Sequence, residues 1–390
     1  MFDIVGWVIA RPARSKIVKT ARFEFSRFDR LLGVRVVSAL AAAASIILVA
    51  CATTPPSPYS DDPAPLASLE HVEDRRGRFR EIFCAILEER GPTLPDPRPC
   101  DEALTRVGVE PGGTGRRVEL GHSHRRLVAA MVPGIGWDCF SNWLDMRATA
   151  ATHVRQFGYD MVAIEVDALS SSATNARQIR DAIMAMEPEG TEPDLVLIGY
   201  SKGAPDILEA VVSYPEIRPR IAAVVSAAGA IGGSPVADEV TQSKLELLEH
   251  WPGAQCTSGD GGALESLRPD TRTAWLVENA LPDDIPYYSL ATCPRPERIS
   301  TFLKPTYRKL SQVDPRNDGM MLLRDQLIPG SRFLGCVNAD HWAVSVPVAR
   351  SHPTLGSTLV DENDYPREAL LEALLRFVEE DLARTSHTRE

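Results

Sequence analysis

The chain has 390 residues, 44% of them hydrophobic and 24% charged, with a formal charge of −11 at pH 7. That length holds one large α/β domain or two ordinary ones, and the balance of apolar and charged residues excludes wholesale disorder. The first fifty residues are basic, so the remainder is more acidic than the total; such a body repels phosphates, no basic patch offsets it, and no nucleic-acid partner is expected.

The apolar stretch Val36–Ala50 (VVSALAAAASIILVA) is shorter than the roughly 20 residues a permanent membrane span needs. With Arg30 and Arg35 before it, it reads as the core of a secretory signal. It ends Leu48-Val49-Ala50-Cys51, which resembles the bacterial lipobox and implies lipidation of Cys51. A Pro/Ser/Thr/Asp-rich run follows, a tether that cannot pack. The expected plan is a signal with an N-terminal extension over 1–50, a tether over 51–66, a helical segment over 67–115 and the main domain over 116–390. The address implied is the bacterial envelope through a lipid anchor. Ala52 in place of an inner-membrane retention Asp favours the outer membrane in a Gram-negative host.

The remaining cysteines are Cys84, Cys100, Cys139, Cys256, Cys293 and Cys336, none in the close spacing of a metal knuckle. In an oxidising compartment an even set reads as structural. Cys84 and Cys100 flank the Pro-rich turn GPTLPDPRP between two helical stretches, which predicts a bridge. Cys256–Cys293 is the second expected pair, with Cys139 and Cys336 as buried free thiols.

Helical patterning covers Glu70–Arg90, then a short stretch from Asp101. LVAAMV (Leu127–Val132), MVAIEV (Met161–Val166), DLVLIGY (Asp194–Tyr200) and IAAVVSAAG (Ile221–Gly229) are apolar runs separated by helical segments. This alternation predicts an α/β fold with a parallel sheet and helices on both faces. It lapses over 236–284, where helical pieces mixed with Gly and Pro read as an insertion. IPYYSLAT (Ile285–Thr292) and RFLGCV (Arg332–Val337) resume it, separated by a long loop. A final helix from Arg367 to Arg384 places Leu370, Leu371, Leu374, Leu375 and Val378 on one face.

Gly199-Tyr200-Ser201-Lys202-Gly203 has the form G-x-S-x-G directly after an apolar strand and at the start of a helical segment. This is the setting of a nucleophile elbow: the glycines Gly199 and Gly203 let strand and helix approach, and the serine is thrust out at the helix N-terminus. A Gly-rich turn with a helix-capping serine is the plainer alternative. No phosphate loop, dinucleotide fingerprint or metal cluster is present, so no cofactor and no metal is expected.

With this motif the segment from Leu127 to Ala383 resembles the α/β-hydrolase superfamily, and within it bacterial secreted lipases and esterases. The resemblance implies an α/β-hydrolase fold, mostly parallel, with the 236–284 insertion as a lid or cap after the sixth strand. It also implies a triad in the order serine, acid, histidine. His341, in Asn338-Ala339-Asp340-His341-Trp342 just past a strand, stands where the superfamily carries its base. His352 is the fallback; His250 and His387 lie in polar surroundings. Asn317-Asp318-Gly319 resembles the segment that supplies the acid in bacterial lipases, which makes Asp318 the expected acid, Asp314 its rival, and Asp340 a turn residue. The oxyanion amides are expected from Lys202 and from Ile135, in a loop that has Pro133-Gly134 where lipases often have His-Gly. The Lys202 side chain is expected to face solvent. Trp137, Trp143 and Trp342 either line an acyl pocket or fill core.

The implied function is serine carboxylic-ester hydrolysis through an acyl-enzyme on Ser201, with a small-molecule or lipid-like ester as substrate. Acyltransfer, thioester or amide cleavage would use the same residues. A catalytically silent envelope binding protein is the alternative from another class.

Overall fold

The computed structural model describes residues 72–137, 147–167, 169–187, 194–240, 257 and 259–387. Its frame is an eight-stranded sheet of β1 (Glu73–Asp74), β2 (Leu104–Thr105), β3 (Val128–Val132), β4 (Asp160–Ala163), β5 (Leu195–Tyr200), β6 (Ile221–Ala227), β7 (Tyr287–Thr292) and β8 (Arg332–Val337). The order is β1-β8-β7-β6-β5-β3-β4. All neighbours on that path run parallel, and β2 adds an antiparallel pairing to β8.

The central strands are apolar on both faces because helices cover both. β5 and β7 are buried at every position, the pattern of a parallel sheet that never meets water. One face packs Phe79 and Phe83 of α1 (Arg76–Arg90) and Leu374, Phe377 and Val378 of the C-terminal helix against Tyr288, Leu290 and Leu334. The other packs Ile179 and Ile183 of α4 (Ser172–Ala185) and Ile207 and Val211 of α5 (Gly203–Ser213) against Leu197 and Val224. Between α1 and α4 in chain order lie α2 (Cys100–Ala103) and α3 (Arg147–Arg155). After them come α6 (Pro269–Glu278), α7 (Lys304–Leu310), α8 (Val348–Ser351), α9 (Pro353–Gly356) and α10 (Arg367–His387).

The expected strands are all present within a few residues of their predicted ends. β1 and β2, two residues each, are too short to leave a periodic signal. The stretch between β7 and β8, read as a long loop, instead folds into α7 and several 3-10 turns. In the insertion, residues 241–256 and 258 lie outside the described residues, while α6 and two 3-10 turns are in place.

Cys84 and Cys100 are bridged, as their spacing predicts, with Cα atoms 5.1 Å apart. The second bridge joins Cys293 to Cys336, with Cα atoms 5.5 Å apart, so the expected Cys256–Cys293 pair and the free Cys336 thiol are both corrected. The cause is strand adjacency: β7 lies beside β8, and the Cys293 amide donates to the Val337 carbonyl at 3.0 Å. Cys51, Cys139 and Cys256 lie outside the described residues.

Candidate active site

Strand β5 ends at Tyr200 and α5 begins at Gly203, and the turn between them carries Ser201 at φ 54°. A non-glycine residue in this region is strained and persists only where its surroundings hold it. The Ser201 amide donates to the Ala227 carbonyl at 3.3 Å, and its own carbonyl accepts from Ala204 and Ala230 at 3.2 and 3.0 Å. Close packing enforces the turn: a Cβ on Gly203 would lie 2.2 Å from the Val132 carbonyl oxygen, and one on Gly199 2.4 Å from the Ala204 Cα.

Two further loops at the same edge of the sheet complete the constellation. His341 follows β8, and its Nε2 lies 3.0 Å from Ser201 Oγ. Its Nδ1 lies 2.8 Å from Asp318 Oδ2, in the loop between β7 and β8. Asp318 Oδ2 also accepts the Thr292 hydroxyl at 2.6 Å, while Oδ1 accepts the Met320 and Met321 amides at 2.9 and 2.8 Å. The carboxylate is therefore fixed on both oxygens. Because it only accepts, Nδ1 carries the proton and Nε2 presents a lone pair to the serine hydroxyl. Ser201, Asp318 and His341 are all buried.

The rival residues are occupied elsewhere. Asp314 pairs with its neighbour Arg316 at 2.9 Å. Asp340 accepts the amides of Trp342, Ala343 and Ser300 at 3.1, 2.8 and 2.8 Å, a turn residue as expected. Burial holds its carboxyl above the usual range against those three donors. His352 Nδ1 lies 3.0 Å from the hydroxyl of Ser351. His250 and Trp143 lie outside the described residues.

Two positions went unnoticed in the sequence. Thr292 closes β7 and is clamped by the Gln326 side chain, whose Oε1 accepts the Thr292 amide at 2.7 Å while its Nε2 donates to the Thr292 carbonyl at 3.0 Å. Its hydroxyl is thereby aimed at Asp318. Tyr200 stacks on the His341 ring with centroids 5.2 Å apart and donates its hydroxyl to the His341 carbonyl at 2.7 Å. Burial pushes its phenol well above the usual range, so it stays a donor. The only sequence signal for either was its place at the end of a strand that enters the site.

The Lys202 side chain does not face solvent. It is buried against Asp206, and this corrects the sequence expectation. Its backbone amide and that of Ile135 meet no acceptor among the described residues. Gly134 lies directly against Ser201, where a Cβ would stand 2.7 Å from Ser201 Cβ and 3.2 Å from its Oγ. Around the mouth, Ile135 and Met320 pack on one apolar cluster, and Met320 and Trp342 on another. Phe302, 56% exposed, stacks on Trp342 with centroids 5.0 Å apart. A cavity of about 480 Å³ under the sheet edge is lined by Pro133, Trp137, Tyr200, Leu290, Val344 and Leu374 among others, and not by the three polar side chains of the relay. No group of three or more His, Cys, Asp or Glu among the described residues is arranged to hold a metal ion.

The chain is similar to a solved carboxyl esterase of metagenomic origin, MGS0156, at 38% identity and a TM-score of 0.76, over 87% of this chain and 99% of that one. This chain belongs to the carboxyl esterases of the α/β-hydrolase fold. The esterase is more distantly similar to the mature Bacillus licheniformis lipase BlEst2, at 18% identity and a TM-score of 0.46 over 62% of this chain and 95% of that one. To the Staphylococcus hyicus lipase it is 12% identical, with a TM-score of 0.47 over 67% and 98% of the two chains. No family model and no curated protein sequence matches it.

Proposed function

We propose that this esterase cleaves carboxylic esters through an acyl-enzyme on Ser201. The observation that carries the reading is the unbroken relay from Asp318 through His341 to Ser201, 2.8 and 3.0 Å in its two links. His341 Nε2 takes the hydroxyl proton as Oγ bonds to the ester carbon, and the carbonyl oxygen becomes an oxyanion received by the amides of Lys202 and Ile135. Collapse breaks the ester bond, and His341 returns the proton to the departing alcohol. Water then repeats the sequence on the acyl-enzyme, releasing the acid and restoring Ser201. Asp318 holds the ring in the working tautomer and stabilises the imidazolium that forms twice per turnover.

The substrate class is an ester with an apolar arm. Support comes from the apolar Met320, Trp342 and Phe302 rim, while the neighbouring cavity combines apolar side chains such as Trp137 and Leu290 with charged ones, Glu165, Asp167 and Arg350 among them. The 236–284 segment is proposed as a cap over this mouth. On the sequence alone, Cys51 is proposed as the lipid-bearing residue and the bacterial envelope as the location, with the outer membrane in a Gram-negative host.

A panel of nitrophenyl esters of increasing chain length, acyl thioesters and anilides tests the assignment. Ester turnover that rises with chain length and vanishes in Ser201→Ala supports it. Preferred thioester or anilide turnover moves the chemistry to another acyl acceptor or bond. A folded protein that turns over none of them is a silent binding protein.

A further inference from the structure

Lys202 follows the nucleophile at a position where a lysine on an outward turn would extend into water. Instead its side chain is 1% exposed, and Nζ lies 2.8 and 2.9 Å from the two carboxylate oxygens of Asp206, itself 1% exposed. Asn175, on the neighbouring helix α4, donates from Nδ2 to Asp206 Oδ2 at 2.7 Å and is also buried. Arg272 of α6 is buried close enough for Asp206 to oppose the fall in its pKa, which burial brings to about 10.

Helix stability does not account for this lysine. At the start of α5 a cation meets the positive end of the helix dipole. A buried ion pair is also no more stable than well-packed apolar residues of the same volume. What the pair does supply is geometry. It spans one helical turn, from the residue whose amide follows the nucleophile to Asp206, and Asn175 ties Asp206 to a second helix. The peptide joining Ser201 to Lys202 is pinned at its carbonyl by Ala204 and Ala230. The Lys202 side chain pins its other end.

We infer that Lys202, Asp206 and Asn175 form a positioning device that fixes the Lys202 amide at the angle an oxyanion needs. The inference rests on the acyl-enzyme reading above and goes beyond it, since the charge acts on the reaction only through the backbone it holds.

The test separates holding the fold from holding the amide. Lys202→Met/Asp206→Leu replaces the pair by apolar side chains of similar size, which should leave the protein folded, its melting temperature lowered by the Asn175 donor left without a partner. On a short nitrophenyl ester, kcat should fall by about 10- to 100-fold with KM unchanged, the loss expected for a misplaced oxyanion donor. The inhibition constant of an alkylboronic acid, which mimics the tetrahedral species, should rise by the same factor. A folded double variant with wild-type kcat and boronate affinity would overturn the inference, as would a loss confined to KM. Should the double variant not fold, Asn175→Ala leaves the ion pair intact, removes its tie to α4 and separates the same two outcomes: lower kcat with weaker boronate binding supports the device, and unchanged values refute it. Wild-type protein that hydrolyses no ester would instead refute the reading on which the inference stands.

Discussion

Two regions of the molecule bury carboxylates, and they partner them differently. Around α10 arginines stand among the partners: buried Glu372 meets Arg376 at 2.7 Å and Arg90 of α1 at 3.4 Å, beside the His153 imidazole at 2.8 Å, and half-buried Glu380 meets Arg78 of α1 at 2.6 Å. At the sheet edge Asp318 is held by two amides, a hydroxyl and an imidazole, with no arginine or lysine against it among the described residues. The arginine pairs neutralise charge and fasten helices together. The neutral donors around Asp318 orient its carboxylate yet leave its charge to the imidazolium that the proposed mechanism forms. A guanidinium in that place would have cancelled the field the reaction uses.

Substitutions at the two regions should therefore separate rate from stability. The largest effect is expected at the relay. Ser201→Ala or His341→Ala should lower kcat by a factor on the order of 10⁶ with an unchanged urea midpoint; a loss below about a hundredfold would break the comparison. Asp318→Asn keeps an oxygen for the Met320 and Met321 amides but presents an amide donor to Nδ1. It should lower kcat by about 10⁴ with little change in folding, measured on the same short ester.

The opposite pattern is expected at α10. Arg376→Met leaves the buried Glu372 with only His153 at 2.8 Å and Arg90 at 3.4 Å, and removes bonds to the carbonyls of Glu119, Leu120 and Gly121. Urea unfolding should show a loss of about 3 to 5 kcal/mol, while kcat stays within about twofold; a matching fall in kcat would blur the distinction.

Asp325 belongs to neither pattern and sharpens both. Burial pushes its carboxyl up to about 6, and Arg324, 3.5 Å away, offsets this only in part. The folded state thus keeps a proton that the unfolded state releases near pH 4, and stability falls as pH rises from about 4 to about 6. Asp325→Asn removes this cost. It should stabilise the protein by about 1 to 2 kcal/mol at pH 7, discounted for the exposed fraction of the group, and by nothing at pH 4. Equal urea midpoints at both pH values would count against it.

The relay was legible in the sequence because Ser201 and His341 follow strands with a strong apolar signal, and because the order of serine, acid and histidine restricts the choices. Asp318 and Asp314 differ little as letters, and the resemblance of Asn317-Asp318-Gly319 to the lipase acid segment favoured the former. What escaped notice depends on direction or adjacency. A turn residue such as Lys202 carries no periodicity to say which way its side chain points, so a motif position that reads as solvent-facing proved buried. The Cys293–Cys336 bridge follows from β7 lying beside β8, a fact of sheet order rather than of spacing. Thr292 reads as one more strand residue until the acid loop folds over it.

Ser201 is proposed as the covalent nucleophile, activated by His341. The most direct measurement is the intact mass of the protein after brief exposure to a fluorophosphonate, followed by peptide mapping. One adduct is predicted, on Ser201, absent in Ser201→Ala and slowed by orders of magnitude in His341→Ala. Rapid labelling at another serine, or equal labelling of the His341 variant, would contradict the account.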